Sequence, residues 1–455
     1  MNIIIIGAGK TGEELIHSLL AEEHDIAVID PLYSVIENIL ETYDVMGICG
    51  SGVVTATLEE ADAPNADLVI ACTAQDEINV LSCVIAKRLG AKSCIARVRN
   101  PELNVQTQFM RQELGIDTMM NPDYYAAYAI SRILRIPSAA KVDSFAGGRL
   151  DLVQLKVAQD CPLVGTALLQ LPHICKTRVL VCAVQSADGS DAFVPSAGYV
   201  IQAGDILSLT ATHGNIHSFF REIGALSEPI RDVLLVGGSR IAYYLAKTLL
   251  ESGMRVKIIE QNHHRCEELS RELPKARILC GDGMDHELLI SEGLRDMDAC
   301  IALTGMDEGN MILSLYAMNQ GVGKVILKIN KTPLVTMSAR VGLDSAVSPE
   351  LLTADMILSY VRALGQSGDS AIRTLYKLLD GQIEALEFVV QEESSSIIGI
   401  PLAQMKLKKN LLIAGIVRGS QVIHPGANDH FLPGDIVVVV TSNRHLSALS
   451  EILAD

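Results

Sequence analysis

No apolar run in this 455-residue chain approaches the roughly 18 to 20 residues needed to cross a bilayer; the longest, residues 411–417 and 436–440, are strand-sized. A membrane-spanning protein is therefore not expected. Basic charge is also scarce: 37 Lys and Arg against 54 Asp and Glu give a net charge of −17, with no stripe of cations to displace counterions from nucleic-acid phosphates. A nucleic-acid partner is disfavoured. An acidic protein is drawn instead to basic surfaces, such as the cytoplasmic loops of membrane proteins. Met1-Asn2 leads straight into an apolar strand, with none of the regions that make up a signal peptide, so secretion is not expected. The 10 cysteines include no C-x-x-C pair and mostly sit in apolar runs, as reduced, buried thiols of a cytoplasm do.

Catalytic signatures are missing as well. There is no G-x-S-x-G elbow, no H-E-x-x-H and no paired zinc cysteines. His213 and His217, and the adjacent His263-His264, read as surface residues. Neither a catalytic residue nor a metal site is expected. An NAD-dependent dehydrogenase, the enzyme alternative, would need a substrate domain with an acid/base cluster, and the appended segments are too small and lack one.

What the chain does contain is a repeat. Residues 2–134 and 232–361 share one pattern, displaced by about 230 residues. Gly7-Ala-Gly-Lys-Thr-Gly12 is echoed by Gly237-Gly-Ser-Arg-Ile-Ala242, Asp30 by Glu260, Cys49-Gly-Ser-Gly52 by Cys280-Gly-Asp-Gly283, and Thr73 to Asn79 by Thr304 to Asn310. Short apolar runs at 3–6, 25–29, 45–49, 68–72 and 94–98 alternate with helical patterns at 13–20 and 80–89, and a longer helix covers 124–134. Runs buried on both faces and joined by helices give right-handed crossovers and a parallel sheet. Behind each copy the texture shifts to short strands broken by Gly and Pro. The expected fold is α/β: two doubly wound Rossmann-like domains, at 1–137 and 230–366, each followed by a small β-rich α+β domain, at 140–225 and 370–455. Linkers are expected at 137–141, 227–231 and 365–370. A mean hydropathy of +0.29 points to doubly buried sheets or to large contacts in a homo-oligomer.

The chemistry lies in the first copy's Gly7-x-Gly9-x-x-Gly12, which follows a strand and opens a helix, with Asp30 18 residues beyond the last glycine. Gly7 allows the tight turn, Gly9 lets a pyrophosphate approach the backbone, and Gly12 lets the helix pack on the sheet. Asp30 would accept hydrogen bonds from ribose hydroxyls and repel a 2′-phosphate. That favours NAD(H) over NADP and leaves ATP and ADP open. Lys10 is a cation beside the phosphates; the segment is not a P-loop, since Ile4 stands where that motif needs glycine. Thr73 and Ala74, at the end of the fourth strand, would line the crevice. Asp76 is read as an N-cap, and Arg97 or Arg99 either reaches the cleft or lies on the surface. In the second copy Gly237 keeps the turn, Ser239 replaces the phosphate-facing glycine and Ala242 the packing glycine. With Arg240, Glu260, Asp282 and Thr304 these residues form either a second site or a retained fold alone.

Together with Ala96-Arg-Val-Arg-Asn-Pro101, Val236-Gly-Gly238, Gly281-Asp282 and the Gly-Asp pairs at Gly204 and Gly434, these motifs resemble the TrkA family, the peripheral NAD-binding subunits of bacterial and archaeal Trk potassium-uptake systems. The resemblance spans nearly the whole chain. It implies tandem RCK and TrkA-C domains assembled as a homo-oligomeric ring, dimer or tetramer, under an integral-membrane potassium transporter of the TrkH/TrkG type. Such a subunit would sit on the cytoplasmic face of the inner membrane, gated by NAD(H) or by ATP/ADP. Nucleotide contacts carry over to Gly7, Ala8, Gly9, Lys10, Thr11, Gly12, Asp30, Thr73, Ala74 and Arg97. Ser51 stands where many such domains have an aspartate, which leaves adenine-side selectivity open. A nucleotide sensor without a membrane partner is the remaining alternative.

Overall fold

The computed structural model describes residues 1–105, 107–189, 191–365, 372–392 and 397–454. The linker expected at 365–370 lies, beyond Gly365, outside these residues. The first unit runs β1 (Asn2–Ile6), α1 (Lys10–Leu20), β2 (Asp25–Asp30), α2 (Tyr33–Thr42), β3 (Met46–Cys49), α3 (Thr55–Glu60), β4 (Leu68–Ala71), α4 (Asp76–Leu89), β5 (Ser93–Arg97), α5 (Pro101–Val105), α6 (Thr107–Leu114), β6 (Thr118–Met120) and α7 (Pro122–Arg135). Its strands form one parallel sheet in the order β3-β2-β1-β4-β5-β6. Ile3 to Ile6 are buried on both faces because helices cover each side, so β1 shows no alternation of polar and apolar residues. β6 was not expected: three residues carry too little pattern, and only pairing with β5 makes them a strand.

A small antiparallel sheet follows, ordered β10-β9-β11-β8-β7, from β7 (Lys141–Phe145), β8 (Leu150–Lys156), β9 (Leu180–Gln185), β10 (Ala192–Phe193) and β11 (Ile206–Ala211), with α8 (Leu171–Ile174) and α9 (His213–Glu222) beside it. The pattern then repeats. β12 (Asp232–Val236), α10 (Arg240–Glu251), β13 (Arg255–Glu260), α11 (His263–Glu272), β14 (Arg277–Cys280), α12 (His286–Ser291), β15 (Ala299–Ala302), α13 (Asp307–Asn319), β16 (Lys324–Lys328), α14 (Thr332–Arg340), β17 (Ala346–Val347) and α15 (Pro349–Leu364) build a sheet of order β14-β13-β12-β15-β16-β17. The last sheet, β18-β19-β22-β20-β21, comprises β18 (Ile372–Leu378), β19 (Ile383–Val389), β20 (Leu411–Arg418), β21 (Gln421–Ile423) and β22 (Ile436–Thr441). Two doubly wound parallel-sheet domains, each with its antiparallel companion, are thus present as expected. Among the described residues no helix is long and apolar enough to cross a membrane, and no group of side chains is arranged to hold a metal ion.

The halves close on each other. α15 lays Ala354, Ile357, Leu358 and Val361 on the first unit's core, against Leu15, Ile16 and Leu19 of α1. Reciprocally, α7 puts Ala126, Ile130 and Ile133 into the core that contains Ile241, Leu245 and Leu249 of α10. The two small sheets meet through Phe145, Leu150 and Leu152 on one side and Leu378, Ile383 and Val438 on the other.

Candidate functional site

Every residue singled out in the first copy lies at the carboxyl edge of the first parallel sheet, where ligands bind in doubly wound folds. Gly7 turns the chain at φ +98°, and a Cβ there would stand 2.8 Å from the backbone nitrogen of Thr73. Gly9 is the N-cap of α1; no side chain caps the helix, and nothing lies within 4 Å of where a Cβ would be. Its amino end therefore keeps unpaired N–H groups facing open space, an arrangement suited to an anion. Gly12 is the opposite case, since a Cβ would meet the Gly7 carbonyl oxygen at 2.1 Å. Lys10 is exposed at the first helical position, while Thr11 is buried. Asp30 accepts from the backbone N–H of Ala8 and of Leu32, both at 3.0 Å, so the acid shapes the glycine turn and retains lone pairs toward the crevice. Ser51 lies just past β3, partly buried.

Thr73 falls two residues beyond the end of β4. Its N–H and hydroxyl both donate to the Asn79 side-chain oxygen at 2.7 Å, and Asn79 donates back to the carbonyls of Thr73 and Arg97. The same lock recurs as Thr304 with Asn310 and the Lys328 carbonyl. Arg97 is buried and reaches across the crevice: one guanidinium nitrogen donates to the Thr11 hydroxyl at 3.0 Å and another to the Thr73 carbonyl, leaving Nε without a partner. Arg99 donates to the Ala74 carbonyl at 2.7 Å. The N-cap reading of Asp76 is corrected: Gln75 precedes the helix, and Asp76 accepts from the N–H groups of Arg99 and Asn100, stapling α4 to the turn after β5. Spacing alone could not separate these roles, because the staple partner lies 23 residues away.

The second copy holds an open cleft of about 570 Å³, within the usual range for small-molecule sites. Gly237, Ser239, Arg240, Glu260, Asp282 and Thr304 all line it. Glu260 repeats the work of Asp30, accepting from Gly238 N–H at 2.6 Å and Asn262 N–H at 2.7 Å. Ser239 differs from Gly9 in kind: its hydroxyl caps α10 by accepting from Ala242 N–H at 3.3 Å, occupying one donor that a phosphate would otherwise use. Arg265 was not anticipated. It stands on α11, donates Nε to the Gly238 carbonyl at 2.8 Å and lines the cleft. No motif in the sequence marks it, since its role comes from the approach of α11 to the glycine turn.

The crevices share an electrostatic surround across the joint. Burial, then the charges of Arg97 and Arg240, pull the Arg99 guanidinium below its ordinary value. Burial pushes Glu350 of the second unit up, opposed by Lys328 and by Lys10 from the first. Tyr244 of α10 donates to the Arg99 carbonyl at 3.1 Å and accepts from Asn121 at 2.9 Å.

Comparison with known proteins agrees with this architecture. The TrkA-N domain family matches residues 3–122 and 233–349, and the TrkA-C domain family matches 152–224 and 385–454. The Trk system potassium uptake protein TrkA of Vibrio alginolyticus is 33% identical over 432 residues, covering 93% of this chain and 92% of its own. A Trk system potassium uptake protein TrkA homolog of Archaeoglobus fulgidus is 31% identical, covering 99% and 100%. Among solved structures, the GsuK RCK domain superposes with a TM-score of 0.64 at 17% identity, over 98% of this chain and 93% of that one. The GsuK channel bound to NAD gives 0.62 at 17% identity, over 98% and 77%. At that identity the likeness establishes the fold alone. The relatives are named for potassium uptake and not for a catalysed reaction. With both domain families matched twice in order, the chain belongs to the TrkA family of Trk-system potassium-uptake proteins.

Proposed function

We propose that this chain is the nucleotide-sensing regulatory subunit of a potassium-uptake transporter. NAD(H), ATP or ADP binds at the carboxyl edges of the Rossmann units at 1–137 and 230–366, and differential affinity for two arrangements of the units shifts the transporter's open fraction. The carrying observation is the uncapped amino end of α1 at Gly9, open to an anion, with the Asp30 carboxylate at the end of the neighbouring strand. The cleft beside Glu260 supports a second nucleotide in the later unit. Family membership supports an integral-membrane potassium transporter as partner and a place on the cytoplasmic face of the membrane. The apolar composition and the repeat support a homo-oligomeric ring.

Calorimetric titration of NADH, NAD, ATP and ADP against the full chain tests the site. Asp30→Ala is expected to weaken binding by about tenfold or more in the first unit, and Glu260→Ala likewise in the second, each carboxylate contact being worth ~1.5–3 kcal/mol. Unchanged affinity for all four ligands in both variants would refute the assignment.

A further inference from the structure

Behind Glu260 and Gln261, which line the second crevice, lies a thiol pair with no counterpart at the first. Cys266, on the buried face of α11 with Leu269, donates its thiol to the Glu260 carbonyl at 3.2 Å and approaches the Leu279 carbonyl at 4.0 Å. Cys280 closes β14, in register with Glu260, and its thiol lies 4.0 Å from the Gln261 carbonyl. Strand alternation puts Cys280 on the side of Ile278, which packs on the core containing Leu269 of α11 and Leu273 just past its end. The two sulfurs thus face each other over the backbone of Glu260 and Gln261. Cys266 is buried and Cys280 exposed. In the first unit Cys49 holds the place of Cys280, but Ile36 holds that of Cys266.

We propose that Cys266 and Cys280 form a reversible disulfide, with a peroxide as oxidant, and that this crosslink weakens nucleotide binding in the second unit. The effect on binding rests on the functional reading above; the crosslink itself does not. The exposed Cys280 meets the oxidant first. Its thiolate attacks one peroxide oxygen, the O–O bond breaks, and the departing hydroxide takes a proton to become water, leaving a sulfenic acid. Burial, and next the facing Cys280 thiol, push the Cys266 thiol up to about 11, so it stays protonated and is not the sulfur that the peroxide oxidises. Cys266 then attacks the Cys280 sulfur, the S–O bond breaks, and the second oxygen leaves as water with the thiol proton. Two thiols and one hydrogen peroxide give one disulfide and two waters; a dithiol reductant reverses it.

A disulfide holds its Cβ atoms ~3.5–4.5 Å apart, so closing it draws the first turn of α11 toward the end of β14. Cys266 leaves the Glu260 carbonyl. Arg265, its neighbour in the chain, moves with it and loosens from the Gly238 carbonyl, disturbing both the ribose acid and the glycine turn.

The test treats the full chain with hydrogen peroxide and maps its peptides by mass spectrometry. The expected product is a linked Cys266–Cys280 peptide pair two hydrogens lighter, released by dithiothreitol and absent in C266S and in C280S, with Cys49 forming no intramolecular link. Calorimetry with ADP is expected to show a several-fold loss in second-unit affinity on oxidation of the native chain and none in C280S. Absence of the linked peptide, or a linked protein that binds ADP as before, overturns the proposal. If the reduced protein binds no nucleotide, the functional reading fails, while the linked peptide still decides whether the thiol pair is a redox site.

Discussion

Gly12 and Gly9 belong to one motif, but different atoms require them. A Cβ at Gly12 would collide with the Gly7 carbonyl oxygen, whereas one at Gly9 would enter empty space. Gly12→Ala must therefore push α1 off the sheet and is expected to lower the melting temperature, at a cost of about 1–3 kcal/mol. Gly9→Ala should melt as the native chain does, yet bind NADH and ADP more weakly, because its methyl occupies the approach to the helix amino end. Thermal denaturation and titration of both variants check this, and equal thermal losses would contradict it. The glycine spacing was legible in the sequence, together with Asp30 and Glu260. Arg97, Arg99 and Arg265 were not equally legible. A cation's reach depends on which elements flank it, and only the fold brings Arg97 between Thr11 and the Thr73 carbonyl.

At the scale of elements, α1 begins at Lys10, earlier than the residue-13 start that apolar periodicity suggests. Its first turn, Lys10-Thr-Gly, contains no large apolar side chain, so periodicity could not register it. The far end of α1 is tied down by charge. Arg362 of α15 pairs with Glu22, just past α1, and donates two hydrogen bonds of 2.8 Å to Glu384 of β19. This guanidinium joins the first unit, the crossing helix and the last sheet. Burial opposes ionisation of Glu22, but Arg362 and then His445 outweigh it and hold the carboxyl below its ordinary range. Arg362→Ala leaves the buried Glu384 without its cation and the partly buried Glu22 with His445 alone, and a loss of ~3–5 kcal/mol is expected, seen as a large fall in melting temperature. The triple change Glu22→Gln, Arg362→Met, Glu384→Gln should lose much less, since no charge is then stranded. A triple variant as unstable as Arg362→Ala would show that packing, not charge, holds this joint.

For the molecule as a whole, the exchange of α7 and α15 makes each half complete the other's core. The joint also carries strain that pH can release. Asp355 of α15 is pushed up to about 6, by burial first and also by Asp143, while Lys141, Lys377 and the Lys377 N–H oppose the shift. The ordinary value is 3.8. Above about pH 6 the carboxyl is ionised in the folded and unfolded chain alike, and the full cost of burying its charge is present. As pH falls from about 6 to about 4 the folded chain takes up the proton first, so this cost disappears. Asp355→Asn is therefore expected to raise the melting temperature at about pH 7.5 and to leave it unchanged near pH 4. Melting curves across that range check it; a stabilisation that persists at the acidic end would contradict the assignment.

The sequence by itself determined the duplication, the two doubly wound sheets and the glycine turns, because strand burial, helix period and turn chemistry are local and leave their pattern in consecutive residues. Only the tertiary structure decided that α7 and α15 are exchanged between halves, that Arg362 ties three parts of the chain, and that Cys266 faces Cys280. Each of these depends on which surfaces meet after the elements form. A contact between residues far apart in the chain has no period in the sequence to announce it.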